Sequence, residues 1–380
     1  MHILLSPDKF KGSLSALDVA LALEAGFREV MPSASFDLAP IADGGEGTAE
    51  AFVAASGGEW IDTDTHDALG QAIVARYGWL PGSRTALIEM CAASGHWRIK
   101  ADELNPLDAS TFGTGELMLH AIAQGAESIC LFLGGSATND AGVGMAAALG
   151  WKFLDALGEN VPPIPREFHR IAKILPQGAP QISRLSGLCD VKNPLLGPLG
   201  TTRVFGPQKG ADLEMIEVLE SALAHLASLC RHQLGTDFAE TPGAGAAGGL
   251  GFGLLTFGGG SLEPGFEAVS RILHLEKRIA KADLVVTGEG RVDSQSLHGK
   301  APVELAILAR RMNKPVVAFA GLVEPGVDAF DCCIPIAGGP MRLDESISKA
   351  GLLVRESARR TAQLLTLGAR NPHFAEAGAS

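Results

Sequence analysis

ADLVVTGEGRVDSQSLHGKAPVELAILARRMNKPVVAFAG, residues 282–321, decides the fold class. An apolar run, DLVV, stops at a Gly-Glu-Gly turn. A polar, glycine-bearing loop follows, then the helical pattern APVELAILARR and a second apolar run, PVVAFAG. Strand, loop, helix and strand in succession are the signature of a parallel α/β sheet. CCIPIAGG, at 332–339, adds a further strand, with Cys332 and Cys333 read as its core.

The amino-terminal end has the same grammar. HILLS ends at Ser6-Pro7; a helix is expected from Leu14 to Val30, with Leu17, Ala20, Leu21, Leu23 and Phe27 on one face; FDLAPIA is the next strand, and ADGGEGT leads into the helix EGTAEAFVAA. The middle differs. Ile73 to Met90 reads as two strands joined at Pro81-Gly82, a hairpin signal that breaks the alternation. After it come the strand SICLFL, the helix GMAAALG, strand-like WKFLDAL, the proline-rich connection VPPIPREF, and the long packing helix DLEMIEVLESALAHLASLCRHQL. The expected fold is α/β with two unequal domains: a Rossmann-like parallel-sheet domain built from both chain ends, 1–70 and 280–380, and an inserted α/β domain with a mixed sheet, 71–279.

Composition narrows the function classes. The chain has 380 residues, 46% hydrophobic and 19% charged, enough to bury a core and long enough for two domains. A net charge of -12 without any Lys/Arg run argues against nucleic acid or an anionic membrane as the main partner. No signal-peptide layout or long apolar run is seen, so the expected location is cytoplasmic. Six cysteines without a C-x-x-C pair point to reduced thiols and away from structural zinc. The 47 glycines cluster in polar loops.

Two nucleotide signatures fail. Gly243-x-Gly245-x-x-Gly248 has the dinucleotide spacing, but TDFAETP precedes it where an apolar strand is required. Gly299-Lys300 is followed by Ala301, so there is no Walker A loop. What remains is a set of loops of one composition: SPDKFKGS (6–13), ADGGEGT (42–48), GGSATND (134–140), SGLCDVKNP (186–194) and GEGRVDSQSLHGKAP (288–302). Loops beyond the carboxyl ends of parallel strands converge, and together these hold the inventory for phosphoryl transfer: carboxylates, cations, small hydroxyls and free amides.

Each residue also has a plainer role open to it. Asp43 and Glu46 suit a helix start, and Asp140 suits a cap. Asp190 lies between Cys189 and Val191 and could form an ion pair with Lys192. Lys9 and Lys11 precede a helix, where the dipole disfavours cations and an anionic ligand would explain them. Arg291 could clamp an anion or pair with Asp293.

In this order, SPDKFKGSLSA, ADGGEGT, GGSATNDAGVGM, SGLCDVKNPLLGP, PGAGAAGGLGFGL and GEGRVDSQSLHGKAP resemble the type I bacterial glycerate kinase family, from Ile3 to about Leu367. The resemblance implies ATP-dependent phosphorylation of D-glycerate, 2-phosphoglycerate as the expected product, no P-loop, and a cleft between two unequal domains. With it, Asp190 is expected to accept the substrate hydroxyl proton, with Lys9 and Arg291 holding the carboxylate or the transferred phosphoryl group. Gly134, Gly135, Ser136, Asn139 and Lys300 are the expected ATP-binding residues, Asp8, Lys11, Lys192 and Asp293 the substrate-binding ones, and Asp43 or Asp140 the Mg²⁺ ligand. Other small hydroxy acids stay open as substrates, as does a homodimer; a dinucleotide-dependent oxidoreductase is the competing class.

Overall fold

The structure is a computed structural model that describes residues 1–41, 47–176, 178, 180, 182–293, 296, 300–324 and 328–370. It divides into two compact units, Met1–Asp43 with Ala54–Ser56 and Phe266–Ser380, and Gly44–Val53 with Gly57–Gly265.

The first unit is built on a five-stranded parallel sheet, in the order Cys332–Pro335, Val316–Val323, Leu284–Val292, His2–Leu5, Ser35–Leu38. The two chain ends meet where Ile3 pairs with Leu284 and Leu5 with Val286. From there the chain winds outward both ways, so these two central strands flank the point where the strand order reverses, the position at which α/β sheets open a crevice at their carboxyl ends. Helix Ala16–Val30 starts where the Ser15 hydroxyl accepts the Asp18 amide, and it buries Val19, Ala20, Leu23 and Phe27. The carboxyl-terminal helix Ala350–Arg370 lies against it; a Cβ on Gly26 would stand 2.2 Å from the Arg355 carbonyl, which is why that position carries none. Cys332 is exposed and Cys333 half-buried, because their strand is the sheet edge and not its core.

The second unit holds a six-stranded mixed sheet, ordered Ser261–Glu263, Arg184–Leu188, Ser128–Phe132, Thr85–Glu89, Ala72–Leu80, Glu59–His66. Its first four strands are parallel and the last two are added by antiparallel pairing, the Pro81-Gly82 turn making the reversal. Residues 57–70 belong here because Glu59–His66 pairs along its whole length with Ala72–Leu80, and 266–279 belong with the first unit, so the boundaries depart from 70 and 280. One core lies against the sheet around Leu117, Met118, Leu131, Met145 and Leu250. A second gathers Phe153, Phe168, Leu223, Leu226 and Phe252 around helix Leu213–Leu234, which Asp212 caps by accepting the Met215 amide. The proline-rich connection is an ordered 3₁₀ turn, Pro165–Arg170, with Phe168 fully buried.

Candidate active site

In the second unit, Phe132 pairs with Leu188, so the segments that follow, 133–140 and 189–190, leave the sheet at one edge. The Leu133 amide donates to the Leu188 carbonyl (3.1 Å) and the Cys189 amide to that of Glu263 (3.1 Å). Asp190 emerges exposed, with Oδ1 accepting the Gly265 amide at 2.9 Å. Lys192 is exposed too, and among the described residues it forms no ion pair.

The glycine turn divides into two parts with different work. Gly134, Gly135 and Ser136 are half-buried, and no backbone acceptor among the described residues takes their amides. The Gly135 carbonyl accepts the amide of His96 (3.0 Å) and its ring Nδ1–H (2.9 Å). From Thr138 onward the turn is internal. Asn139 is fully buried and donates to Thr202 Oγ1 (2.9 Å). Asp140, also fully buried, takes the Thr111 amide and hydroxyl (both 2.7 Å) and the Gly144 amide (3.0 Å) on Oδ2, and the Gly142 amide (3.2 Å) on Oδ1. Burial pushes its carboxyl up, and these four donors pull it back.

Two of the expected site residues therefore sit in the interior. Asn139, expected at ATP, is fully buried with its amide committed to Thr202. Asp140, expected at Mg²⁺, is a structural knot held by four donors at complete burial. Asp43, the other expected ligand, lies outside the described residues. No group of three His, Cys, Asp or Glu suited to a metal occurs among those described.

The dinucleotide-like glycines have a packing task. No strand precedes them, and Ala247, Gly248 and Gly249 are left-handed within helix Ala246–Thr256. A Cβ on Gly248 would lie 1.9 Å from the Thr138 carbonyl, while the Gly248 carbonyl accepts the Ala141 amide at 3.0 Å. The glycines let a helix press on the back of the 134–140 turn.

One residue at this turn gives no hint of itself in the sequence reading. Lys209 is 2% exposed, and its ammonium donates to the Thr138 carbonyl at 2.6 Å. It lines a cavity of about 260 Å³ with His96, Leu133, Ser136, Phe205 and Gln208. Its available signal was the loop Gly206-Pro207-Gln208-Lys209-Gly210, a cation between glycines like those in the loops already singled out.

In the first unit, the segment that follows His2–Leu5 runs on beside the carboxyl half of strand Leu284–Val292. The Ser6 amide donates to the Val286 carbonyl (2.7 Å) and that of Asp8 to Gly288 (2.8 Å). Asp8 is buried, its Oδ1 accepting the Lys9 amide (2.6 Å); Lys9 is half-buried and Lys11 exposed. On the facing loop, Lys300 pairs with Glu289 (2.8 Å) and donates to Ser296 Oγ (3.1 Å). Glu289 is 6% exposed and was missed in the sequence; burial pushes its carboxyl up and Lys300 pulls it back. Arg291 is the exposed bridge: its side chain, 60% exposed, pairs with Asp293 (3.0 Å) and with Glu324. Lys9, Lys11, Asp8, Arg291, Asp293 and Lys300 are thus gathered at one switch point, and Asp190, Lys192 and Gly134–Ser136 at one edge of the other unit.

Charged and glycine-rich loops at the carboxyl ends of parallel strands stand where α/β proteins place their ligand sites. Comparison with known proteins makes the class specific. The profile of the Glycerate kinase family matches residues 3–366. The chain is 42% identical to the glycerate kinase of Bacillus subtilis (strain 168) over 97% of its length and 98% of that protein's. It is 41% identical to the glycerate 2-kinase of Escherichia coli (strain K12), covering 98% of this chain and 100% of that one. A crystal structure from Salmonella typhimurium LT2, assigned as glycerate kinase 2, superposes with a TM-score of 0.90 at 42% identity, covering 98% of this chain and 100% of that one. The chain belongs to the glycerate kinase family, and is a phosphotransferase.

Proposed function

We propose that the protein transfers the terminal phosphoryl group of ATP to a hydroxyl of D-glycerate, giving 2-phosphoglycerate. The observation that carries this reading is the pairing of Phe132 with Leu188, which delivers a carboxylate, Asp190, and the open amides of Gly134–Ser136 to one sheet edge. Asp190 accepts the hydroxyl proton as the oxygen attacks phosphorus. Gly134, Gly135 and Ser136 bind phosphate oxygens through their amides and the Ser136 hydroxyl. Lys9 and Arg291 carry the negative charge of the substrate carboxylate or the moving phosphoryl group, with Asp8, Lys11, Lys192 and Asp293 orienting the substrate and Lys300 binding nucleotide. Arg291 must exchange at least one carboxylate partner to do so. Mg²⁺ bound with ATP would supply neutralisation of phosphate charge. The transition state of phosphoryl transfer is loose, so positioning and electrostatics supply most of the acceleration.

Phosphorus NMR on protein, D-glycerate, ATP and Mg²⁺ tests the reading. A 2-phosphoglycerate resonance is the expected result; 3-phosphoglycerate would keep the kinase and reverse the substrate orientation. No phosphoester of glycerate, under conditions where ATP binds, would remove glycerate as substrate.

A further inference from the structure

Lys209 is costly where it stands. Removing an ammonium from water without a counter-charge is strongly unfavourable, so buried lysines are paired or lose their proton. Here Nζ has one acceptor, the Thr138 carbonyl, and no carboxylate lies within 4.0 Å among the described residues. A structural lysine would not be left with donors to spare beside a cavity. We propose that Lys209 is an anion anchor, and that the cavity it lines with Ser136, His96 and Gln208 takes the oxyanion of a small ligand, either a carboxylate or a phosphoryl group.

The chemistry of the lining agrees. Ser136 and Gln208 offer neutral donors, and His96, whose Nδ1–H is committed to Gly135, presents Nε2, which donates to an anion when the ring is protonated. Leu133 and Phe205 exclude water and so strengthen the attraction between ammonium and anion. The volume, about 260 Å³, suits a small acid or one end of a larger ligand. Burial lowers Lys209 to about 7, and Asp140, fully buried, acts against that shift. The titratable groups set around the ammonium are therefore Asp140 and His96. An arriving anion draws a proton onto Lys209, so binding and protonation are coupled. The assignment deepens the kinase reading, with which it shares Ser136, and rests on it for that residue and for the choice of probes.

Calorimetric titration of the full chain near pH 7, in buffers of different ionisation enthalpy, tests it with two probes. D-Glycerate reports the carboxylate source; sulfate, which does not titrate, stands in for the phosphoryl source. One probe is expected to bind with uptake of about half a proton, and Lys209→Met to weaken that probe about tenfold or more while abolishing the uptake. Unchanged affinity, uptake that persists in Lys209→Met, or no binding of either probe would overturn the proposal. Should Lys209→Met fail to fold, ¹³C-labelled lysine in the wild type follows the same proton. The resonance that titrates near neutrality must then shift on adding the probe, and an unmoved one overturns the anchor. Turnover measured on the same preparation separates the two readings: glycerate phosphorylation without these signatures removes the anchor alone, and the signatures without turnover remove the kinase alone.

Discussion

The two units gather polar residues at strand ends in opposite ways. In the parallel-sheet unit the charges are matched: Glu289 with Lys300, and Arg291 with Asp293 and Glu324. Arg291 stays largely exposed, and exposed pairs contribute little to stability. In the mixed-sheet unit, Asp140 and Lys209 are both buried, each without an ion-pair partner among the described residues, and they are held by neutral groups. Matched, wet charges exchange partners at low cost; unmatched, dry ones fix geometry. The first arrangement suits a surface that receives charge from a ligand, and the second suits the frame of a chemical site.

Substitutions can break this contrast. The largest expected effect is on stability at Asp140. Asp140→Asn replaces an all-acceptor group with one that also donates, leaving buried donors unmet at about 1–3 kcal/mol each, so a loss of about 3 kcal/mol is expected in urea unfolding. A loss below about 0.5 kcal/mol would mean the knot is not under tension. Next, Lys9→Met should lower kcat/KM for D-glycerate by about tenfold or more if the half-buried ammonium meets ligand charge; an unchanged value would take Lys9 out of the site. Third comes pH. Lys209 titrates at about 7 in the folded chain, below the ordinary lysine value of 10.5. Between those values the unfolded chain binds a proton that the folded one does not, so stability should rise with pH across that window, by at most about 1.4 kcal/mol per unit. Lys209→Met should flatten that slope, and a slope that survives would assign it to other groups. The smallest effect belongs to Arg291→Met, under about 1 kcal/mol on stability; a larger loss would show that the matched pairs are not interchangeable after all.

Much of this was legible in the sequence, and the reasons are local. The β/α alternation at both ends, the Pro81-Gly82 hairpin and helix Leu213–Leu234 follow from short-range periodicity and turn chemistry. The strand Glu59–His66 was invisible because, at the sheet edge, it alternates charged and polar residues with few apolar ones. Asp190 and the 134–136 turn stand out as polar groups next to glycines after apolar strands. Asn139 and Asp140 carry the same local signature, yet they point inward, because Thr111 and Thr202 reach them from distant segments. Lys209 is the converse: a loop lysine is expected in solvent, and only packing against Thr138 buries it. Orientation across a turn is a tertiary property that residue type does not encode.

The central claim, that the mixed-sheet unit carries the proton transfer, is tested most directly by steady-state kinetics of Asp190→Asn with D-glycerate and MgATP. A general base contributes about 10²–10⁴-fold, so kcat should fall by about 100-fold or more while KM stays within a few-fold. A variant that keeps the wild-type kcat would contradict the account and move the base elsewhere, with Glu289 the next carboxylate to examine.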